Sequence, residues 1–300
     1  MITKTELDKY SYSRLNTFIQ CPMKYDLKYN KGNYTEESQL HLELGNILHK
    51  ALEIKYRDKI NKRTVDHSYI KSFIENGISE ETDKDNGRFL KGVKQIKETY
   101  GESTFSEVSK KSGLTYEEKM GTFYDYLEED TIDDWMPIHV ELPFTFSFEK
   151  RVIIEGYIDR IDQNSKGELR VVDYKSSDKV FEQKDLTTPL QMVIYALACE
   201  ALFGKIPVEY MYDLILLGEK QQAGTKGFIE RGIKKIHKVL DEIEWCKALN
   251  EWKPKATPLC WWCEFSGHNE SNPWYTGGLC DYYLLWSPDN KTFEKNNEYK

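Results

Sequence analysis

The sequence predicts an α+β fold, in which a small mixed β-sheet is flanked by helices and a large helical portion forms the N-terminal region. Three observations predict it. Apolar residues recur at helical spacing before residue 130, whereas residues 140–176 alternate between apolar and polar side chains. A helical stretch and an apolar strand follow, which is the pattern of a crossover connection. A chain of 300 residues, 39% of them hydrophobic, is long enough to bury such a core.

Three helices are predicted in the N-terminal region. The first begins after Ser13, a residue type that caps helix N-termini, and a new helical turn starts at Pro22, directly after Cys21. The second covers residues 40–56 and the third residues 88–100, because leucine, isoleucine and valine recur there every three or four positions.

The alternating region predicts an antiparallel meander of three strands. The first is centred on 140–148, and a tight turn at Glu149-Lys150 leads into 151–162. A second turn at 164–167 leads into the strand 168–176. The elements predicted beyond it are a helix at 188–203, a crossover strand at 208–217, a helix at 232–249 and an irregular tail after Lys253.

The same pattern predicts three regions along the chain. Residues 1–130 form a helical region that carries Cys21 and His49, and residues 131–250 form the sheet-containing core. Residues 251–300 form a cysteine-rich region that we expect to pack on the N-terminal region.

Composition limits the classes of protein that the chain can belong to. The net charge is −8, which gives no support to a nucleic-acid binder. Residues 117–134 hold eight acidic side chains against one lysine, a net charge of −7, so the rest of the chain sums to −1. That remainder leaves room for a basic groove. We interpret residues 117–134 as a solvated loop or helix face. The longest mostly apolar run, 192–203, is shorter than the roughly 20 residues that a membrane span needs. The first residues lack an apolar signal region, so we expect a protein of the reducing cytoplasm.

Two aspartates and a lysine are predicted to meet at one strand end. Asp173 and Lys175 lie two residues apart on a strand, and therefore on the same face. The turn at 164–167 puts Asp159 opposite Asp173, where cross-strand side chains are about 5 Å apart. Two carboxylates that close repel each other unless a cation joins them, and oxygen ligands favour Mg²⁺ or Mn²⁺. The alternative is a surface ion pair.

Two helical pairs add polar groups to this hypothesis. Gly45 and His49 are four residues apart on one helix face, where the absent glycine side chain would let a metal, a strand or a phosphate approach the imidazole. Gln191 and Tyr195 have the same spacing on the helix that follows the Asp173 strand. Each pair also has a plain interpretation, as core or surface residues of its helix.

The cysteines suggest a second metal site. In a reducing compartment they are expected to be metal ligands or buried thiols rather than disulfides. Cys260 and Cys263 form a Cys-x-x-Cys pair, sixteen residues separate Cys263 from Cys280, and Cys21 stands alone near the other end of the chain. Four thiolates hold Zn²⁺ or an iron–sulfur cluster, and His268 is a rival ligand that would favour zinc. The remaining cysteines, Cys199 and Cys246, are predicted to be packing residues.

Taken in order, these motifs resemble the RecB-type branch of the PD-(D/E)XK nucleases, which includes nucleases of CRISPR adaptation. The resemblance covers residues 11–283. The segments that carry it are Ser11-Tyr12-Ser13-Arg14-Leu15 with Cys21-Pro22, Gly45-x-x-x-His49, Gly156-Tyr157-Ile158-Asp159-Arg160-Ile161-Asp162, Asp173-Tyr174-Lys175 and Gln191-x-x-x-Tyr195.

The resemblance implies a restriction-endonuclease-like core and a role for each motif. The metal ligands that it implies are His49, Asp159, Asp173 and the main-chain carbonyl of Tyr174. Lys175 would act on the attacking water, and Gln191 and Tyr195 would steady the active site and the DNA backbone. The [4Fe-4S] ligands that it implies are Cys21, Cys260, Cys263 and Cys280. The interval before Cys280 is longer than the family usually has, so Zn²⁺ remains the alternative.

The implied activity is metal-dependent hydrolysis of DNA by an exonuclease that acts at DNA ends or on single-stranded DNA, in recombination, repair or DNA processing. The partners would be DNA and a helicase or recombination protein, with no membrane. Two alternatives stay open: a nuclease of the CRISPR-adaptation type, and a catalytically silent subunit that binds DNA or braces a helicase–nuclease complex. The chain has no Gly-x-x-x-x-Gly-Lys-Ser/Thr loop and is therefore not itself expected to be a helicase.

Overall fold

The computed structural model describes residues 7–33, 40–78, 90–129, 134–255, 257, 260, 263–265, 279–280, 284–287 and 292–295. The chain divides into two compact units. Unit 1 comprises residues 1–8 and 38–232, and unit 2 comprises residues 9–37 and 233–300. Two features of the sequence analysis lie outside the described residues. They are the first six residues, in which no apolar signal region is expected, and His268, the alternative zinc ligand.

Both units contain helices. Their bounds are α1 (Tyr12–Gln20), α2 (Pro22–Tyr25), α3 (Leu40–Ile60), α4 (His67–Asn76), α5 (Val93–Tyr100), α6 (Glu102–Ser106), α7 (Tyr116–Glu128), α8 (Gln183–Thr187), α9 (Leu190–Phe203) and α10 (Phe228–Leu249). A π-helical turn at Asp26–Asn30 follows α2.

The strands form one larger sheet and two small ribbons. Their bounds are β1 (Lys9–Tyr10), β2 (Gly77–Ile78), β3 (Leu90–Lys91), β4 (Met136–Phe148), β5 (Val152–Gln163), β6 (Leu169–Lys175), β7 (Glu209–Leu214), β8 (Glu219–Gln222), β9 (Leu284–Ser287) and β10 (Thr292–Lys295). Within unit 1 the larger sheet has the order β4-β5-β6-β7-β8, in which β6 and β7 are parallel and the other neighbours are antiparallel. The ribbons are β2–β3 and β9–β10.

This arrangement confirms the predicted fold class, a mixed sheet flanked by helices. The meander β4-β5-β6 is present, and α8 and α9 connect β6 to the parallel strand β7. The predicted turn at Glu149-Lys150 is confirmed, since both residues have positive φ angles, 49° and 57°. Two such residues make the type I′ geometry that suits a tight hairpin.

The core of unit 1 lies between α3 and one face of the sheet. Leu44, Ile47, Leu48, Ala51 and Leu52 of α3 are all buried, as their helical spacing requires. The sheet contributes Val172 and Tyr174 to the same cluster, and α4, α5 and α7 close it. Helix α3 is therefore fixed against the strand that carries Asp173 and Lys175.

Several predicted elements differ from those observed. The cap of α1 is Ser11, not Ser13, because the Ser11 hydroxyl accepts the Arg14 amide at 3.2 Å. The third predicted helix begins only at Val93, since Leu90–Lys91 pairs as a strand with Gly77–Ile78. The predicted strand at 208–217 ends at Leu214 and turns back as β8. The tail predicted to be irregular contains the hairpin β9–β10.

Most of the acidic stretch forms a helix, α7, one face of which is buried. Within 117–134, the residues up to 128 belong to α7, whose Met120 and Phe123 are buried in the core. Lys119 of α7 is fully buried and forms an ion pair with Asp178, in the segment after β6. The acidic residues Glu117, Glu118, Asp125 and Glu128 form a solvated face of α7, as interpreted from the sequence, whereas the buried face of the helix was not predicted.

One stretch, Gln183–Phe203, is apolar and long enough to cross a membrane by length and composition alone. It is not one continuous helix, because α8 ends at Thr187 and Pro189 precedes α9. Most of α9 is buried within unit 1. A core helix passes the same test, so this stretch is weak evidence for a membrane span.

Unit 2 joins the two distant parts of the chain. Trp252, beyond α10, stacks on Tyr25 of α2 with ring centres 5.5 Å apart, and it meets Phe18 of α1 edge to face. The Lys255 side chain donates a hydrogen bond to the carbonyl oxygen of Ile19. These contacts hold the segment after α10 against α1 and α2.

Candidate active site and metal centres

Helix α3 supplies an imidazole to the end of the central strands. His49 Nδ1 lies 3.7 Å from Asp159 Oδ2. One turn earlier, Gly45 faces the chain just after β6, because a Cβ atom at Gly45 would lie 3.2 Å from Ser176 Oγ. The glycine therefore allows α3 to approach the residue that follows Lys175. The sequence analysis considered a metal, a strand or a phosphate beside Gly45. In the structure, its neighbour is the chain at the end of strand β6.

The two aspartates face each other across β5 and β6, as predicted. Arg160 pairs with Val172, and the next position in the antiparallel register sets Asp159 opposite Asp173. Asp159 Oδ2 accepts the main-chain amide of Tyr174 at 2.7 Å. Burial and the nearby Asp173 carboxylate raise the pKa of Asp159, and His49 and Lys175 oppose that rise.

Lys175, Gln191 and Tyr195 surround Asp173. Lys175 Nζ lies 2.5 Å from Asp173 Oδ2, and it donates to Gln191 Oε1 at 3.0 Å. Gln191 Nε2 and the Tyr195 hydroxyl both donate to Asp173 Oδ1, at 2.7 and 3.2 Å. The four side chains form one hydrogen-bonded group, so β6 and α9 are tied together at the strand end. Their catalytic roles stay a prediction.

Glu141 is a site residue that the sequence pattern did not reveal. It lies on β4 between pairs that set Val140 against Arg160 and Leu142 against Ile158, which puts it opposite Asp159. Its φ of 47° is unusual for a residue with a side chain. Burial, followed by the charge of Asp159, raises its pKa to about 8. Counting evenly back from the Glu149-Lys150 turn sets Val140 opposite Asp159, so only the observed register identifies Glu141.

Three side chains converge as candidate ligands. His49, Glu141 and Asp159 each offer one ligand atom, and these three atoms lie within 4.8 Å of one another. Burial first, and then the repulsion between neighbouring carboxylates, raises the pKa values of Glu141 and Asp159, and a bound cation would favour their charged forms. Carboxylate oxygens suit hard divalent ions such as Mg²⁺ and Mn²⁺, and an imidazole nitrogen suits transition metals. The residues present therefore fit a divalent metal ion, and Asp173 stands beside this set with its oxygens engaged by Lys175, Gln191 and Tyr195.

The four cysteines expected to act together line one cavity in unit 2. Cys21, Cys260, Cys263 and Cys280 face it with Lys24 and Phe265 among their neighbours. Cys21 Sγ accepts the amide of Lys255 at 3.3 Å, and Cys260 Sγ accepts the amide of Thr257 at 3.5 Å. Burial raises the pKa of Cys263, while an amide hydrogen bond from Phe265 opposes that rise. The other two thiols lie elsewhere: Cys199 is buried in α9, as expected, and Cys246 lies on α10.

Fold and site together define a nuclease core of the restriction-endonuclease-like class, with side chains that could hold a divalent metal at the ends of its central strands. The chain belongs to the PD-(D/E)XK nuclease superfamily, whose family model matches residues 9–267. This match confirms the superfamily on which the resemblance rested.

Individual relatives come from clostridia. An ATP-dependent helicase/deoxyribonuclease subunit of Clostridium botulinum (strain Loch Maree / Type A3) is 29% identical over 206 residues, which are 62% of this chain and 17% of that protein. The protein of the same name from Clostridium perfringens (strain SM101 / Type A) is 26% identical over 271 residues, 80% of this chain and 23% of that protein. The chain therefore spans about a fifth of the length of the curated relatives it matches.

Proposed function

We propose that this chain is a metal-dependent DNA nuclease that hydrolyses phosphodiester bonds at DNA ends or in single strands. The observation that carries the proposal is the convergence of His49, Glu141 and Asp159 next to the Asp173–Lys175 pair. An assembly of buried like charges costs stability, and a fold without a cation to bind has no use for it.

Each side chain has a role in this proposal. His49, Glu141 and Asp159 hold the metal, which we assign as Mg²⁺ or Mn²⁺, and the resemblance adds Asp173 and the Tyr174 carbonyl. A bound divalent cation would supply Lewis-acid stabilisation of charge on the phosphate. Lys175 orients the attacking water and stabilises the negative charge that develops on the phosphate oxygens.

Gln191 and Tyr195 keep Lys175 and Asp173 in place. Gln191 bridges the two, since it accepts from Lys175 and donates to Asp173. The Tyr195 hydroxyl donates to the same oxygen of Asp173. We therefore assign both residues to positioning, because rigid placement of a charged donor matters more to the rate than its presence nearby.

The experiment compares degradation of end-labelled single-stranded DNA by the wild type, Lys175→Ala and Lys179→Ala, with and without Mg²⁺ or Mn²⁺. Lys179 lies four residues further on, pairs with Glu182, and is exposed. We expect Lys175→Ala to lose about 10²- to 10³-fold in rate, as removal of a transition-state donor does. We expect Lys179→Ala to match the wild type. Equal, metal-independent degradation by all three proteins would exclude the enzyme and favour the silent DNA-binding alternative.

The names of the relatives favour recombination and repair over CRISPR adaptation. They are called ATP-dependent helicase/deoxyribonuclease subunits. We therefore propose a helicase as the partner of this chain, DNA as its substrate and the cytoplasm as its location. Co-purification with an ATPase from the same cell extract, absent for an unrelated nuclease, would be the first check.

We further propose that the four cysteines hold a [4Fe-4S] cluster and that the cysteine-rich region closes on the N-terminal region through it. The support for a shared site is that all four cysteines line one cavity. Four thiolates suit an iron–sulfur cluster as well as zinc, so metal analysis has to distinguish the two.

Absorption and metal analysis of anaerobically purified protein test the cluster. We expect a broad band near about 400 nm and iron and sulfide in equal amounts. Cys21→Ser should lose the band, and Cys246→Ser should keep it, because Cys246 lies on α10 outside the cavity. Stoichiometric zinc without the absorption band would show that the four cysteines bind zinc and not an iron–sulfur cluster.

A further inference from the structure

Beyond His49, helix α3 carries a charged group that the proposed chemistry does not use. Glu53 lies one turn after His49 and is only 8% exposed. Lys50 Nζ lies 3.1 Å from Glu53 Oε2, and Arg57 Nη2 donates to Glu53 Oε1. One buried carboxylate thus holds two cationic side chains, which approach it from opposite directions along the helix.

These pairs differ from an ordinary surface ion pair. On α10, Lys238 and Glu242 also pair one turn apart, but their side chains are 77% and 52% exposed. Burial has instead removed water from the Glu53 carboxylate. This desolvation costs free energy, and an ion pair within one helix seldom compensates for it. Such a carboxylate is more useful for orienting the two cations than for stabilising the helix.

The charged group stands close to the metal site. The charges of Glu53 and Lys50 both act on the pKa of Glu141, the former raising it and the latter lowering it. His49 and Glu53 lie on the same face of α3, about 6 Å apart along its axis. Arg57 is a further turn away and more than half exposed. Along α3, the candidate metal ligand His49, the Glu53 carboxylate and the Arg57 guanidinium therefore follow one another at intervals of one turn.

We propose that Lys50 and Arg57, oriented by Glu53, bind a phosphate of the DNA strand next to the phosphate that is cleaved. The inference rests on the proposed function and adds a binding site to it. A site rich in carboxylates repels a polyanion, so fixed positive charge beside it is needed to bring the backbone in. Two cations around one carboxylate leave one net positive charge, and a guanidinium fork matches the oxygens of a phosphate.

The test measures binding of fluorescent single-stranded DNA by anisotropy, in a Lys175→Ala background with Mg²⁺, so that hydrolysis does not interfere. The variants are Lys50→Met, Arg57→Met, the double variant and Arg57→Lys, and Lys238→Met is the matched control for loss of one charge. A lost phosphate contact on single-stranded DNA lowers the slope of log Kd against log salt by about 0.7. Because both cations contact the same phosphate, we expect the double variant to lose this full amount and each single variant to lose part of it.

Three further results complete the test. Lys238→Met should keep the slope of its parent, and Arg57→Lys should recover part of the loss because it keeps the charge without the planar fork. An unchanged slope for the double variant, in protein that unfolds at the parent's temperature, would overturn the inference. If the double variant does not fold, the same slope is measured for Lys50→Gln and Arg57→Gln, and unchanged slopes for both would overturn the inference. Absence of metal-dependent cleavage by the wild type would instead count against the proposed function.

Discussion

At Glu141 the backbone of β4 leaves the extended conformation, and the side chain joins His49 and Asp159. A positive φ in the middle of a strand costs free energy, and such strain persists where the surroundings impose it. Here the strained backbone brings the carboxylate to the point where the candidate metal ligands converge. Glu141 is therefore the residue at which stability and metal binding conflict.

Replacement of Glu141 by Gln should separate those two properties. The pKa of Glu141 is raised from 4.5 to about 8, so between these values the folded metal-free protein keeps a proton that the unfolded chain has lost. Its contribution to the free energy of unfolding therefore falls as the pH rises through this range. Without metal at pH 8, Glu141→Gln should unfold at a higher temperature than the wild type, and its stabilisation by Mg²⁺ should be smaller.

Thermal unfolding at pH 5 and pH 8, with EDTA or Mg²⁺, measures both effects. Glu182→Gln is the control, because Glu182 is exposed and its pKa is lowered by Lys184. Identical pH dependence of the wild type and Glu141→Gln would show that folding does not raise the pKa of this carboxyl group.

The sequence predicted which side chains lie together wherever a short local spacing determines the geometry. Asp173 and Lys175 follow from strand alternation, and Gln191 and Tyr195 from one helical turn. Glu141 was missed because its backbone departs from the strand conformation that the alternation assumes. Its neighbour in space, Asp159, is eighteen positions away, and only the hairpin register relates the two.

Among the elements, α3 unites the core of unit 1 with the site. Gly45 is the position where its backbone passes closest to the end of β6, with Ser176 Oγ as the neighbour. Gly45→Ala should change the free energy of unfolding by less than about 1 kcal/mol, because the better helix propensity of Ala offsets the tighter contact. The cleavage rate should fall roughly tenfold, since Lys175 adjoins the displaced Ser176.

A second substitution distinguishes this explanation from a general loss of structure. Ser176→Ala removes the hydroxyl that the new methyl group would meet, so Gly45→Ala/Ser176→Ala should recover most of the activity. The measurement is the single-turnover rate of DNA cleavage, with circular dichroism to verify folding. A Gly45→Ala variant that cleaves DNA like the wild type would mean that Ser176 moves aside without disturbing Lys175.

Element prediction worked where hydrophobic periodicity was strong and failed where charge obscured it. The strands β4 to β6 and the helix α3 have clear periods of two and of about 3.6. Helix α7 does not, because its buried face includes Lys119, whose charge is balanced by Asp178 from a distant segment. No local rule identifies a lysine that becomes buried through a partner about sixty residues away.

For the whole molecule, the proposed cluster connects Cys21 to cysteines more than two hundred residues later. Closing a loop of that length restricts the unfolded chain, an effect worth about 5 kcal/mol for a covalent cross-link. Cys21→Ser should therefore lower the unfolding temperature of the anaerobic protein by several degrees, and Cys246→Ser should leave it within about 1–2 °C of the wild type. Scanning calorimetry with and without an iron chelator measures both. Equal unfolding temperatures for Cys21→Ser and the wild type would exclude a stabilising cross-link at this position.

The discontinuity of unit 2 has a consequence for biosynthesis. Its first segment, residues 9–37, emerges from the ribosome early, whereas its second begins only at residue 233. At about 5–20 residues per second, Cys21 waits roughly 10–50 s for the partners of its cavity. During that interval the nascent chain can complete unit 1, including every proposed catalytic side chain. Cofactor delivery would therefore be a late step of maturation, and the aromatic faces of α1 and α2 would need shielding by chaperones until then.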